Sequence, residues 1–345
     1  MKAVIFRQHG SPEVLEYAEV SAPPAASGCL LVRVKACALN HLDLWVRQGL
    51  PAYRIALPHI SGCDVAGVVE ELGAGVTSFE VGDRVVLAPG LSCGQCDSCR
   101  ADQDNLCASY GIRGAATDGG YAELVSARAS DAILIPDGIS FEEAAAFPLV
   151  FLTAWHMLVT RARLQPGEAV LIHAAGSGVG HAAIQIARYF NATVYATVGS
   201  DTKVDKAKAL GADQVISYFR EDWSERLRTL TGGRGVDVVF EHIGPQTWET
   251  SLRALARNGR LVICGATSGP DVKLDLRYVF SRQLSILGSM MGTRAELQVV
   301  TRLVWERKLR PVIDTVFPLR SARAAQERML DRRVFGKLIL KPEGA

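Results

Sequence analysis

Hydrophobic positions in this chain follow two different patterns, and the change between them falls near its middle. Over residues 1–90, short apolar runs at Ala3–Arg7, Leu30–Ala36, Asp64–Leu72 and Arg84–Ala88 are separated by Pro23-Pro24, Gly73–Gly75 and Gly82-Asp83. Runs bounded by turn residues, with no helical periodicity between them, predict a compact and largely antiparallel domain. A polar, cysteine-dense loop follows over Cys93–Cys107, and Gly119–Leu124 returns to the strand pattern. Phe141–Arg163 is rich in Ala and Leu at helical spacing, with Pro148 as an interruption. From Val170 the pattern changes. Val170, Leu171 and Ile172 form an apolar run of the kind buried on both faces of a parallel sheet. After the turn Ala175–Gly180, residues Ala183, Ile184, Ala187 and Phe190 recur at helical spacing. Thr193–Val198, Gln214–Ser217, Val236–His242, Leu261–Cys264 and Leu284–Gly288 read as five further strands separated by helical segments. This alternation predicts a doubly wound parallel α/β sheet. Beyond it, Arg294–Lys308 places Leu297, Val300 and Val304 on one helical face, and Phe335–Leu340 reads as a terminal strand that rejoins the first domain.

The turn carries the first chemical signal. Strand, glycine-containing turn and helix open a dinucleotide-binding unit, in which Gly178 lets the backbone approach a pyrophosphate and Gly180 lets the helix sit on the sheet. Ala175 and Ser177 stand at the first two glycine positions of the G-x-G-x-x-G pattern. A tight strand–helix turn would produce the same residues, but six alternating strands make a Rossmann domain the expected context. The cofactor candidates here are Ala175, Gly176, Ser177, Gly178, Val179 and Gly180. An NAD-preferring domain ends its second strand with an acidic residue. Here that strand runs into Gly199-Ser200-Asp201-Thr202-Lys203. Space at Gly199, a donor at Ser200 and a cation at Lys203 suit the 2′-phosphate of NADPH, with NADH as the alternative. Lys203 and Lys206 read equally as the exposed face of a helix.

At 345 residues two domains are expected. A net charge of +2 without basic or acidic blocks shows no nucleic-acid footprint. Met1–Phe6 runs straight into a strand with no signal peptide, and no apolar run is long enough to span a membrane. A cytoplasmic protein acting on a small molecule is therefore expected. Four of the eight cysteines are clustered as Cys93-x2-Cys96-x2-Cys99-x7-Cys107. Four thiolates at this spacing suit one tetrahedral zinc. A disulfide pair is disfavoured in a reducing compartment, and a redox C-x-x-C accounts for only two of the four. With every coordination position taken by protein, the zinc would be structural.

A strand-rich N-terminal domain, a four-cysteine lobe, a Rossmann domain and a returning C-terminus together resemble the medium-chain dehydrogenase/reductase superfamily over essentially the whole chain. The resemblance implies a GroES-like, mostly antiparallel β catalytic domain over 1–149, with its zinc lobe at about 90–110. It further implies an NADP-binding Rossmann domain over 150–288, the return of 289–345 to the catalytic domain, and a homodimer or homotetramer paired through Leu284–Gly288. Alcohol dehydrogenases of the superfamily hold a catalytic zinc. Here Asn40 stands at the first ligand position, Cys63 at the second, and Pro148–Phe151 near the third offers no ligand. Asn40-x-x-Asp43 instead resembles the quinone oxidoreductase branch, which implies hydride transfer to quinones or enones. Asn40 would then orient the substrate oxygen, Thr153 would place a hydroxyl near the nicotinamide, and His41 would act as a nearby base or a cofactor contact. Tyr218 and Gly265 join the cofactor candidates on the same ground. Two other readings stay open. One is an alcohol dehydrogenase with an unusual metal site among His41, Asp43, His59, Cys63 and Asp64; the other is an NADPH-binding sensor without turnover. Enoyl thioester reductases carry a catalytic Tyr after this segment, and Tyr53 lies nearby at a different spacing.

Overall fold

The computed structural model describes residues 1–49 and 55–344; Tyr53 lies outside the described residues. The chain divides into two compact units, Met1–Leu149 with Thr293–Ala345, and Val150–Gly292.

In the first unit a seven-stranded sheet runs in the order Ile313–Pro318, Lys337–Lys341, Cys29–Ala38, Asp64–Leu72, Arg84–Leu87 and Ala132–Leu134, with Leu124–Arg128 also paired to Cys29–Ala38. All pairings are antiparallel except that of Ile313–Pro318 with Lys337–Lys341. Leu30, Val32 and Val34 of the central strand share a core with Val65, Val69, Val85, Leu87, Leu338 and Leu340. The strand expected over Gly119–Leu124 begins only at Leu124. Upstream, the Gly119, Gly120 and Tyr121 N–H groups are taken by the carbonyls of Ile60, Gly62 and Ser61 at 2.8, 2.8 and 3.0 Å. The register of the terminal strand decides which of its side chains meets Asn40. Ile339 lies opposite Ala38, and Leu39 N–H donates to the Leu338 carbonyl at 2.9 Å. Continued by one residue, the antiparallel register brings Lys337 opposite Asn40. The neighbouring strand sets Asp64 opposite Ala38.

The second unit holds a six-stranded parallel sheet in the order Gln214–Ser217, Thr193–Val198, Ala169–Ile172, Val236–Glu241, Leu255–Ile263 and Ser285–Gly288. Val170, Leu171 and Ile172 are fully buried, as strands covered on both faces must be. The winding reverses between Ala169–Ile172 and Val236–Glu241, and in such sheets the ligand crevice opens there, beyond the carboxyl ends of the strands. Pro148 does not interrupt one long helix. Phe141–Ala145 ends before it, and Pro148 opens a second helix, Pro148–Trp155, where its missing N–H is not needed. Among the described residues no helix is long and apolar enough to cross a membrane.

Candidate active site and cofactor turn

Asn40 closes the turn after Cys29–Ala38 and precedes the helix His41–Gln48. Its side chain is buried and engaged at both ends. Lys337 Nζ donates to Asn40 Oδ1 at 2.6 Å, while Asn40 Nδ2 lies 2.8 Å from Asp64 Oδ2, 3.2 Å from Cys63 Sγ and 3.5 Å from the Ala38 carbonyl. Lys337, 2% exposed, also reaches Asp64 Oδ2 at 3.1 Å, and Asp64 Oδ1 accepts the Leu149 N–H at 2.9 Å. Sequence reasoning passed over Lys337. The available signal was a lysine directly before the apolar run Leu338–Leu340 of the terminal strand, since a buried ammonium needs a carboxylate partner.

Asp43 supports the same turn from below. It accepts the Asn40 N–H at 2.7 Å, the Gly62 N–H at 3.1 Å and the Tyr121 hydroxyl at 3.0 Å. Burial pushes its carboxyl up to about 6 against those hydrogen bonds, and burial likewise holds the Cys63 thiol well above its ordinary value. His59 Nε2 lies 2.9 Å from the Gly114 carbonyl. His41 is exposed at the helix start, with its ring 4.9 Å from that of Trp45. Among the described residues, the one group of three or more closely placed metal-ligating side chains is Cys93, Cys96, Cys99 and Cys107. Asp43, Cys63 and Asp64 are instead tied into hydrogen bonds with Asn40, Gly62, Tyr121 and Lys337. With a neutral amide at Asn40 and the Asp43 and Asp64 carboxylates committed to hydrogen bonds and an ion pair, these residues do not fit a catalytic zinc, which needs three protein ligands and an open position.

The four cysteines do fit a closed site. Their sulfurs lie within 4.8 Å of one another, with Cys96–Cys99 at 3.5 Å and Cys93–Cys99 at 3.9 Å. Tetrahedral Zn–S bonds of ~2.3 Å set sulfurs ~3.8 Å apart, within the span of these distances.

In the second unit the turn after Ala169–Ile172 begins just before the motif residue Ala175. The left-handed residue is Ala174, at φ 48°. Its carbonyl lies against the helix start, where a Cβ on Gly180 would stand 2.4 Å from it. Ser177 caps the helix Gly178–Tyr189, its hydroxyl accepting the Gly180 N–H at 2.9 Å. At the end of the second strand Gly199 leaves room for Tyr218, whose hydroxyl a Cβ there would approach to 2.4 Å. Ser200 and Lys203 sit on the same turn. Asp201 is drawn sideways: its carboxylate accepts from Ser217 Oγ at 3.0 Å and pairs with Arg220 at 2.6 Å. Arg220, absent from the sequence reasoning, offsets the acid that would repel a 2′-phosphate. Thr153 is buried, its hydroxyl 4.0 Å from Met291 Sδ. Gly265 follows the strand Leu255–Ile263.

Residues 26–137 match the family model for the alcohol dehydrogenase GroES-like domain, and residues 178–306 match that for zinc-binding dehydrogenases. An alcohol dehydrogenase of Geobacillus stearothermophilus is 36% identical over 99% of both chains. Quinone oxidoreductase 1 of Escherichia coli is 33% identical over 98% of both. A solved structure described as an NAD-dependent alcohol dehydrogenase is 48% identical and superposes with a TM-score of 0.95 over 99% of both chains.

Proposed function

This chain belongs to the medium-chain dehydrogenase/reductase superfamily and is an oxidoreductase; from that premise we propose that it reduces quinones, enones or related activated carbonyl compounds with NADPH. The observation that carries this reading is the Asn40 amide, held by Lys337, Asp64 and Cys63 at the position the resemblance assigns to a zinc ligand. Oxidising an alcohol calls for a group that stabilises an alkoxide. An acceptor conjugated to a carbonyl needs only orientation and a hydrogen bond to its developing oxyanion. When bound, NADPH supplies the hydride.

Asn40 Nδ2 has two hydrogens for three acceptors, and the one on the Cys63 side faces sulfur, a weak acceptor. A substrate oxygen gaining negative charge replaces that sulfur at little cost. The Lys337 ammonium on Asn40 Oδ1 polarises the amide and strengthens its N–H as a donor. The test compares turnover of a simple quinone and of a primary alcohol, before and after a chelator too weak to strip the four-cysteine site. Quinone turnover is expected to survive, and Asn40→Ala to lower it about tenfold to a hundredfold, at or below the usual loss for a transition-state donor. Relatives described as alcohol dehydrogenases favour the second reading, a metal site built on Cys63. Chelator-sensitive alcohol oxidation with no quinone turnover would establish it.

Cofactor choice rests on this chain's own residues, because one structural relative is described as NAD-dependent. Lys203→Ala should raise the KM for NADPH about ten- to a hundredfold, the value of a charge-assisted contact, and leave that for NADH nearly unchanged. Equal losses with both would remove Lys203 from the 2′-phosphate site.

Assembly rests on the sheet edge. Ser285–Gly288 is the last strand in the order, and Leu276 and Phe280 on the preceding helix are 67% and 69% exposed. An exposed apolar edge invites pairing, so a second copy is expected there, as a homodimer or a dimer of dimers. Sedimentation at micromolar concentration checks this, and a strictly monomeric mass would refute it.

A further inference from the structure

Behind the cofactor turn lies a buried polar chain that the proposed reaction does not use. Glu241 ends its strand fully buried and accepts five hydrogen bonds. Its Oε1 takes the N–H groups of His242, Ile243 and Gly244 at 2.9, 2.7 and 3.3 Å, and its Oε2 takes the hydroxyls of Thr247 and Ser251 at 2.9 and 2.8 Å. Because the Ser251 proton points at Glu241, its oxygen must accept from His173 Nε2, 2.9 Å away. That assignment leaves His173 Nδ1 as an acceptor, and Thr197 Oγ1 donates to it at 3.2 Å. Thr197 Oγ1 in turn accepts the Ala174 N–H at 3.2 Å. His242 closes the circuit, its Nε2 donating to the His173 carbonyl at 3.0 Å. Burial lowers the His173 imidazole to about 4, which keeps it in the neutral form this pattern requires.

The chain therefore runs between the two sides of the sheet's reversal. One end holds Ala174, whose left-handed φ is unfavourable for a residue with a Cβ and persists only where its surroundings impose it. The other end holds the loop His242–Gly244, beyond the carboxyl end of the fourth strand. In an open α/β sheet these two loops flank the dinucleotide. His173, Thr197, Ser251 and Glu241 are all buried, so none is placed to touch substrate.

We propose that His173 is a positioning residue for the dinucleotide: through Thr197 on one side and Ser251 with Glu241 on the other, it ties the phosphate turn to the loop His242–Gly244 and holds both lips of the crevice in the shape that receives the cofactor. The inference rests on the reading that this unit binds a nicotinamide dinucleotide, and it is independent of whether NADPH or NADH is preferred.

The experiment measures Kd for NADPH and for NADH by nicotinamide fluorescence, with Tm recorded in parallel, for the intact protein and for Thr197→Val, Thr197→Ser, Ser251→Ala and the Thr197→Val/Ser251→Ala pair. Thr197→Val keeps the side-chain shape and removes the hydroxyl. It is expected to raise Kd about five- to tenfold, by the same factor for both cofactors. Thr197→Ser should return Kd to within about twofold of the parent, because the hydroxyl is restored. In the double variant the second cut falls in a chain already broken, so its effect should be smaller than the product of the single effects. A merely structural role would lower Tm and leave the Kd of the folded protein unmoved. Unchanged Kd in Thr197→Val, or single effects that simply multiply, would overturn the inference alone. If Thr197→Val does not fold, the Kd of Ser251→Ala decides the matter by the same criterion. Failure of the parent protein to bind either nucleotide would sink the cofactor reading itself, a separate and recognisable result.

Discussion

Cys99→Ser is expected to lower the melting temperature by more than about 10 °C while leaving the turnover of the still-folded fraction much less affected. The segment it anchors has little else to hold it. Between Cys93 and Cys107 the regular structure amounts to a four-residue helix, Asp97–Arg100, and a single turn, Asp104–Leu106. Leu106 is 64% exposed, so the lobe does not close on a core of its own. Four thiolates brought together without a cation would repel one another once ionised. A structural zinc turns that repulsion into binding free energy that is also folding free energy, about 10–16 kcal/mol in small zinc peptides. Only part of it is expressed here, because the lobe is built into a larger unit: Arg128 donates to the Ser92 carbonyl at 2.7 Å, and Asp104 accepts the Arg294 N–H at 2.9 Å. Metal analysis should count one zinc per chain in the parent protein. A metal-free native preparation of normal stability would contradict the assignment.

Lys337→Met is expected to cost about 3–5 kcal/mol, because it strands the Asp64 carboxylate in the interior. Asp64 is fully buried, and Lys337 is its sole cationic partner among the described salt bridges. The remaining contacts, from Asn40 Nδ2 and the Leu149 N–H, are neutral donors. For a unit of this size the loss corresponds to a fall in Tm on the order of 10 °C. Adding Asp64→Asn should recover much of it, since the stranded charge is then gone; a double variant as unstable as the single would show that packing, rather than charge, was lost. The same substitution also removes the ammonium from Asn40 Oδ1. Turnover of Lys337→Met/Asp64→Asn therefore reads the polarising role separately from stability, and a fall in kcat at unchanged KM is the expected sign.

Much of this protein was legible in its residues. The four cysteines are recognisable because zinc ligation constrains spacing within a single loop, and six alternating strands are recognisable because burial on both faces writes continuous apolar runs. Asn40 at a ligand position was equally plain. What surrounds Asn40 was not. Lys337 is 297 residues away, and only the antiparallel register of the last strand against Cys29–Ala38 sets it opposite. The conformation of the turn was not legible either: Ala174, just before the motif, takes the left-handed conformation and is held by a threonine on the next strand. The difference has one physical cause. Local chemistry depends on residues close in sequence, whose spacing can be counted. Buried polar groups must find partners wherever the chain returns, and for Asn40, Asp64, His173 and Glu241 strand pairing and strand order decided which partners those were.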